Sequence, residues 1–423
     1  MRNSRTDSLI RFLNASPTPW HAVEAAAAAL AGAGVPRVRE EDAWTLKPGG
    51  SLCVVRGGSI VAVRVPEGFS AASPAPFHIV AAHTDSPGLR LKPRPPKPAF
   101  EYRQWGVEVY GGVLYNSWLD RDLGVAGRLF VPGNPVPKLV RLEDKPLRIP
   151  QVAIHLDRNV NEGLALNPQR HLVPLTGQTG GESLESLLEA AAGAPLPELT
   201  FDLCLYDLTP AGYGGVNDEF VYSGRLDNLA MCHAALEAFL EASAPGGDAV
   251  RVIALFDHEE VGSVSAQGAR SNLLPALLER VAIALGADRD GWLRQLSRSF
   301  LVSADMAHAL HPNYPEKHEP DHYPLPNRGP VLKANANQRY AGDAGSASRL
   351  AGWARRADVP LQNFISRSDL ACGSTVGPGL AADLGIAGVD VGSPMLSMHS
   401  AREMCGADDP EKMTALMREF LRG

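Results

Sequence analysis

Cysteine is scarce. Five residues, Cys53, Cys204, Cys232, Cys372 and Cys405, are scattered through 423 and nowhere closely paired. That excludes a disulfide-stapled scaffold, a cysteine-built zinc knuckle and an iron–sulfur site. A reducing, cytoplasmic setting is expected. No apolar run reaches the ~20 residues that span a bilayer, so no membrane segment is expected. The opening MRNSRTDSLIRFLNAS has no long apolar core and no A-x-A-like cleavage site, so no signal peptide is expected either. Strong charge of one sign is also missing. With 40 basic and 47 acidic residues the net charge is -7, which argues against a general binder of nucleic acid or anionic membrane. The 41 glycines and 34 prolines follow no G-X-Y period, so collagen is excluded. The glycine-rich strings Gly212-Tyr213-Gly214-Gly215 and Gly373–Gly377 lack a Walker lysine and a GxGxxG pattern. There is no GxSxG elbow and no HExxH.

What is present is an ordinary globular composition, 45% hydrophobic and 21% charged, in a chain long enough to bury a large core without disulfides. Helical spacing predicts helices over Ser8–Ala15 and Trp20–Ala33. Leu52–Val55 and Ile60–Val65 around Gly57-Gly58 predict a hairpin. Phe77–Ala82 reads as a buried strand. Five prolines between residues 87 and 98 exclude helix there and suggest a change of domain near residue 90. Strand-like pieces follow at Val107–Tyr110, Val125–Val131, Val152–Leu156 and Phe201–Tyr206, with one helix over Ser183–Ala192. After residue 220, helix and strand alternate: Leu226–Ala242, Val250–Phe256, Leu273–Leu285, Phe300–Ser303, Gly345–Ala357, and a final helix from Asp409. That alternation predicts a layered α/β fold. Residues 1–90 and 213–423 are expected to form one discontinuous domain, interrupted by a β-rich unit over 91–212.

Polar strings punctuate these elements. They are His83-Thr84-Asp85, Gly224–Asn228, Asp257–Glu260, Ser303-Ala304-Asp305 and Met398-His399-Ser400. Three of them directly follow apolar strands, where open α/β sheets place their ligands. Imidazole and carboxylate suit Zn²⁺, and also Mn²⁺ or Co²⁺. Paired metals about 3.5–4 Å apart need a shared ligand, and Asp227 is a candidate bridge, with His83 and His399 capping opposite ends. Residues two apart on an extended segment face the same side, so Asp85 is placed to hold the second ring nitrogen of His83. Of Glu259-Glu260, one carboxylate would ligate and the other accept a proton from water. Each residue also has an ordinary alternative: Asp227 as a helix cap, Asp85 as a turn cap, Asp305 as a surface turn residue, Glu259-Glu260 as a solvated pair.

In order along the chain, His83–Pro87, Ser223–Asn228, Asp257–Ser263, Ser303–Ala309 and Met398–Ser400 resemble the aspartyl aminopeptidases, the M18 metallopeptidases. Ile154-His155-Leu156 and Lys333–Tyr340 join the resemblance, which runs from about residue 5 to the end. One departure is modest: Gly342 stands where the familiar run QRYAT ends in threonine. The resemblance implies a zinc-peptidase-like α/β domain interrupted by a β-rich dimerisation domain. It implies a pair of divalent metals per subunit, usually zinc, and release of N-terminal aspartate or glutamate from peptides. By motif match Asp227 bridges, His83 and Asp305 serve one metal, Glu260 and His399 serve the other, Glu259 is the general base and Asp85 supports His83. A homo-oligomer is implied, a dodecamer built from dimers.

A chain of net charge -7 repels acidic substrates at long range, so acidic specificity needs a local cation. Lys333 is expected to fill that role, with His308 and Tyr340 as companions by resemblance; the ordinary alternative for Lys333 is a solvent-facing strand residue. Val152–Leu156 alternates like a half-buried strand, and His155 reads first as a packing histidine. The resemblance assigns it instead to the partner subunit's active site, where its N–H would stabilise an oxyanion. Competing functions are a dinuclear aminopeptidase preferring neutral N-terminal residues and a scaffold with a vestigial site.

Overall fold

The computed structural model describes residues 3–95, 98, 100–242 and 248–423, so Pro96 of the proline-rich stretch lies outside the described residues. Three apolar runs decide the centre of the molecule. Phe77–His83, Val250–Phe256 and Phe300–Ala304 are buried along their whole lengths. Strands with no polar face need cover on both sides, which parallel sheets provide. These three pair in parallel, joined by Ala387–Gly392. The hairpin Ser51–Arg56/Ser59–Arg64 extends one edge antiparallel, its turn made at Gly57 with φ +60°. Val331–Ala334 and Gln362–Ile365 complete the other edge of an eight-stranded sheet.

Helices cover both faces. On one side lie Ser4–Ala15, Pro19–Gly32, Leu226–Glu241, Ala344–Arg356 and Asp409–Arg422, with Leu9, Leu30, Leu229, Leu350 and Phe420 in a common core. On the other lie Leu273–Ala284, Arg289–Ser297 and Val376–Leu384, packed through Leu274, Trp292 and Leu380. Local sequence sets their ends. Thr18 caps Pro19–Gly32 by accepting from the His21 N–H, with proline in the first turn.

A five-stranded sheet with its own core carries Val107–Tyr110, Gly88–Leu91, Thr200–Asp207, Leu123–Phe130 and Lys138–Leu147 in that order. Gly88–Leu91 already belongs to it, so the change of sheet falls between His83 and Gly88, at the start of the proline stretch. A third sheet of five short strands includes Phe220–Ser223, Glu403–Gly406, Pro394–Leu396 and Ala307–His308. All five cysteines are free, and no helix among the described residues is long and apolar enough to cross a membrane.

One expected strand is not formed. Residues 152–156 form a loop with a turn over 154–156, closed by Leu156 N–H to Ala153 O at 2.8 Å, and no strand among the described residues pairs with them. Instead of being half-buried, Val152, Ile154 and Leu156 are 57%, 43% and 83% exposed, and His155 is exposed with them. Alternation alone gives a strand nothing to pair with. Patterning also passes over Lys138–Leu147, whose RLEDK centre is polar, and Ala387–Gly392, whose glycines and Asp390 hide a strand buried from Gly388 onward. Gly388 is there because a Cβ would lie 3.2 Å from the Leu301 side chain.

Phe420 is fully buried, stacked on His78 at 4.7 Å and edge-on to Trp353 at 4.9 Å. Phe420→Ala is expected to cost about 3–5 kcal/mol of unfolding free energy, read as a shift in denaturant midpoint. A loss below about 1 kcal/mol would mean the last helix is not part of the core.

Candidate metal centre

Three parallel strands end on the same edge of the main sheet and deliver the polar strings there. His83 is the last residue of Phe77–His83, Glu259 and Glu260 follow Val250–Phe256, and Asp305 follows Phe300–Ala304. Adjacent glutamates on an extended strand would point apart. Here Glu259–Val261 is a single 3-10 turn between left-handed His258 (φ 69°) and Gly262 (φ 94°), and both carboxylates come within reach of His83. Asp227 sits in the first turn of Leu226–Glu241, followed by a cis peptide to Asn228. The Asn228 amide donates to Ala304 O at 2.9 Å, tying this helix start to the Asp305 strand. His399 leaves the loop after Pro394–Leu396 with φ 69°.

The five expected ligands converge. His83 Nε2 lies 3.5 Å from Asp227 Oδ1 and 3.8 Å from Asp305 Oδ1. His399 Nε2 lies 3.4 Å from Asp227 Oδ2 and 3.5 Å from Glu260 Oε1. Thus Asp227 turns one oxygen to each histidine. The ligand atoms of His83, Asp227 and Asp305 lie within 4.8 Å of one another, as do those of Asp227, Glu260 and His399. A third group, His83, Glu259 and Glu260, overlaps both.

The outer hydrogen bonds orient these side chains. His83 Nδ1 is 3.0 Å from Asp85 O and 3.4 Å from Asp85 Oδ1. Asp85 is completely buried and also accepts the Glu259 N–H (3.1 Å), the Glu260 N–H (3.1 Å) and the Tyr110 hydroxyl (2.7 Å). It therefore pins the glutamate turn as well as the His83 ring. His399 Nδ1 is 2.8 Å from Gly112 O. Sequence reasoning missed Glu403, which is 2% exposed and accepts the N–H of Asp227 (3.1 Å) and of His399 (2.8 Å). A buried-strand glutamate four residues after His399 is the signal that was there to find. Tyr110 and Gly112 were missed too, because nothing in Tyr110-Gly111-Gly112 is chemically conspicuous.

The cluster concentrates carboxylates in a buried volume. Burial opposes the charged His83 ring, yet Asp227, Asp305 and Asp85 outweigh it and hold its pKa well above the usual value. His399 is raised in the same way, mainly by Asp227. Burial pushes Glu259 up to about 7, helped by Asp305, Asp85 and Asp227. Glu260 and Glu403 are driven well above the ordinary carboxylate range by burial and by Asp227. Against burial, the two histidines keep Asp227 itself below its usual value. Its Oδ1 is buried and accepts no hydrogen bond. A buried carboxylate oxygen aimed into a cluster of imidazole and carboxylate donors fits a divalent cation of the zinc, manganese or cobalt type.

Beside the cluster, Lys333 is not the solvent-facing strand residue of the ordinary alternative. It is 4% exposed, 3.9 Å from Asp305 Oδ1 and 5.2 Å from the Tyr340 ring centroid. Tyr340 is buried, and His308 is exposed with its ring 5.8 Å from Phe364. A cavity of about 920 Å³ is lined by Lys333, Asn335 and Tyr340. A second, of about 320 Å³, is lined by His308, Tyr340, Phe364 and Met398. His155 lies on the exposed loop of the second unit and takes no part in the cluster of its own subunit.

A layered α/β sheet that gathers histidine and carboxylate ligands at the ends of its parallel strands defines a metal-dependent hydrolase centre. The family profile described as aminopeptidase I zinc metalloprotease (M18) matches residues 12–421. A probable M18 family aminopeptidase 2 of Streptomyces coelicolor is 48% identical over 426 residues, covering 99% of this chain and 97% of the relative. A chain in the Ape4 and Nbr1 complex superposes with a TM-score of 0.94 at 41% identity, over 99% of this chain and 85% of that one. The S. cerevisiae mApe1 dodecamer superposes with a TM-score of 0.83 at 28% identity, over 98% and 95% of the two chains. The chain belongs to the M18 family and is a metallo-aminopeptidase.

Glu403→Ala would leave the buried Asp227 N–H and the partly buried His399 N–H without an acceptor. It is expected to destabilise the metal-free protein by about 1–3 kcal/mol for each group, measured by urea unfolding. Unchanged stability would show that neither N–H depends on Glu403.

Proposed function

We propose that this chain is a dinuclear aminopeptidase that removes aspartate or glutamate from the N-terminus of peptides. The observation that carries this reading is the pair of ligand groups sharing Asp227, with a buried lysine beside them. His83 and Asp305 would hold one ion and Glu260 and His399 the other, zinc by preference, with manganese or cobalt as alternatives. Bound divalent ions supply Lewis acidity, polarising the scissile carbonyl and lowering the pKa of water. Glu259, half-buried on the turn beside the ligands, is placed to act as the general base. It takes the proton of the attacking water and returns it to the leaving amine. Asp85 holds the Glu259 backbone in place through its N–H.

Lys333 supplies the positive charge that an acidic first side chain needs. Asp305 and the Tyr340 ring fix its ammonium beside the cluster, and burial strengthens its hydrogen bond to a substrate carboxylate. Tyr340 and His308 complete the wall. The decisive measurement is a panel of peptides beginning with Asp, Glu, Leu, Ala or Lys, offered to zinc-reconstituted protein. Asp and Glu are expected to be cleaved fastest. Lys333→Met is expected to reduce kcat/KM for Asp and Glu about 10- to 100-fold relative to Ala, the worth of one hydrogen bond to a charged group. Preference for Leu, or equal loss on every peptide, would refute acidic specificity.

The β-rich unit over 91–212 acts in assembly, and the chain forms a homo-oligomer, a dodecamer built from dimers, in the cytoplasm. The loop with exposed Val152, Ile154 and Leu156 supports this, because three apolar side chains projecting together suit a partner surface. His155, carried among them, reaches the partner's centre and donates to the oxyanion. Glu259→Gln is expected to keep its metal and lose about 10²–10⁴-fold in kcat. Mixing Glu259→Gln with His155→Ala subunits after dissociation should regenerate sites that pair an intact Glu259 with a partner's His155. Activity in verified hybrids well above either parent is the expected result; none above the parents sinks the role in trans.

A further inference from the structure

The second sheet does more than face outward. Its strand Val107–Tyr110 runs directly into Gly111 and Gly112, and these residues touch the metal cluster of their own subunit at several points. The Tyr110 hydroxyl donates to Asp85 Oδ2 at 2.7 Å, on the carboxylate that supports His83 and receives the Glu259 and Glu260 N–H groups. Gly111 takes φ +70°, and a Cβ on it would lie 3.1 Å from Glu260 Cβ. Gly112 offers its carbonyl to His399 Nδ1 at 2.8 Å, and a Cβ there would lie 3.2 Å from the same nitrogen. Beyond it, Leu114 N–H donates to His399 O at 3.2 Å, and Ser117 Oγ accepts the Ala401 N–H at 2.9 Å.

We propose that Tyr110–Gly112 is a positioning segment that the second sheet lends to the metal centre in cis. Tyr110 sets His83 and the glutamate turn through Asp85, and Gly112 sets the His399 ring directly. The inference rests on the metal centre proposed above and adds a role for the β-rich unit within its own subunit. Two features argue for it over ordinary packing. Both terminal histidines depend on oxygen partners outside the cluster, and such partners fix ring orientation and ligand basicity. One of those partners, the Gly112 carbonyl, belongs to this segment, and the other, Asp85, accepts the Tyr110 hydroxyl from it. The paired glycines fit because the backbone must approach Glu260 and His399 closely. The Tyr110 ring is separately secured by the Arg90 guanidinium 3.7 Å from its centroid, so removing the hydroxyl alone leaves the packing in place.

Chelator competition on the zinc-loaded, full-length protein tests the proposal, with kcat, KM and unfolding temperature measured in parallel. Five proteins are compared: wild type, Tyr110→Phe, Gly112→Ala, Asp227→Ala as a reference lacking a ligand, and Leu91→Ala as a packing control in the same sheet, since Leu91 is buried in its core. Tyr110→Phe and Gly112→Ala are expected to hold zinc about 10- to 100-fold more weakly, with kcat lowered more than KM is changed. Leu91→Ala is expected to lower the unfolding temperature more than Tyr110→Phe does, with zinc affinity unchanged. Zinc held equally by wild type and Tyr110→Phe would overturn the proposal. So would zinc loss that follows unfolding temperature across all variants, Leu91→Ala included. If Gly112→Ala does not fold, Tyr110→Phe decides alone. Should wild type bind zinc no better than Asp227→Ala, the metal centre itself fails and takes this inference with it.

Discussion

A carboxylate buried with one oxygen toward each of two histidines is the constraint around which this molecule is arranged. Asp227 is 3% exposed, and its Oδ1 accepts no hydrogen bond from the protein. Burying such a group is costly unless charge and hydrogen bonds are matched. Here the neighbours make matters worse, because Asp85, Asp305, Glu259, Glu260 and Glu403 crowd the same volume. Protons taken up by His83, His399 and the glutamates are one way to relieve that density, as their upward pKa displacements show. Divalent cations are the other. The polypeptide is thus folded around a shortage of positive charge, and the aminopeptidase chemistry of its family is what filling that shortage provides.

The main sheet explains why the shortage can be held open. Its parallel strands end together, so residues far apart in sequence reach one edge with backbones already fixed by the ladder. Loops alone would have to order these ligands at an entropic cost of about 1–2 kcal/mol per residue. Asp227, Glu259, Glu260 and His399 lie off the sheet, and Asp85, Glu403 and Gly112 tie them from outside. Rigidity is supplied by strands where strands reach, and by buried hydrogen bonds where they do not.

The same division decides how much could be read from the sequence. His83, Asp257–Glu260 and Asp305 follow uninterrupted apolar runs, and runs of that kind have few other uses than a covered parallel strand. The layered α/β class and these sites were legible for that reason. Their joint identity needed the ordered family motifs, since spacing alone leaves Asp227 a helix cap and Glu259-Glu260 a surface pair. Tyr110 and Gly112 were not legible, because their work is done through hydroxyl and carbonyl contacts that leave no periodicity, and Glu403 left only its place on a strand four residues after His399. Val152–Leu156 shows the opposite failure. Its alternation is real, but its apolar side chains face out of the subunit, and a pattern of burial does not say against what.

The exposed loop and the metal cluster are nevertheless joined by a short path. From Tyr110 and Gly112 at the cluster the chain passes through the turn Tyr115–Trp118 to Asp120. Asp120 donates its N–H to Ile149 O at 2.9 Å and accepts the Gln151 N–H on its side chain at 3.1 Å. Those two bonds anchor the start of the loop that carries Val152, Ile154, His155 and Leu156. One segment of about ten residues therefore fixes the outer partners of the metal ligands at one end and the root of the projecting loop at the other. A partner that pulled on the loop would pull on that segment, because close-packed structure has low compressibility and transmits strain. The geometry thus couples the root of the loop to the outer partners of the metal ligands within one subunit.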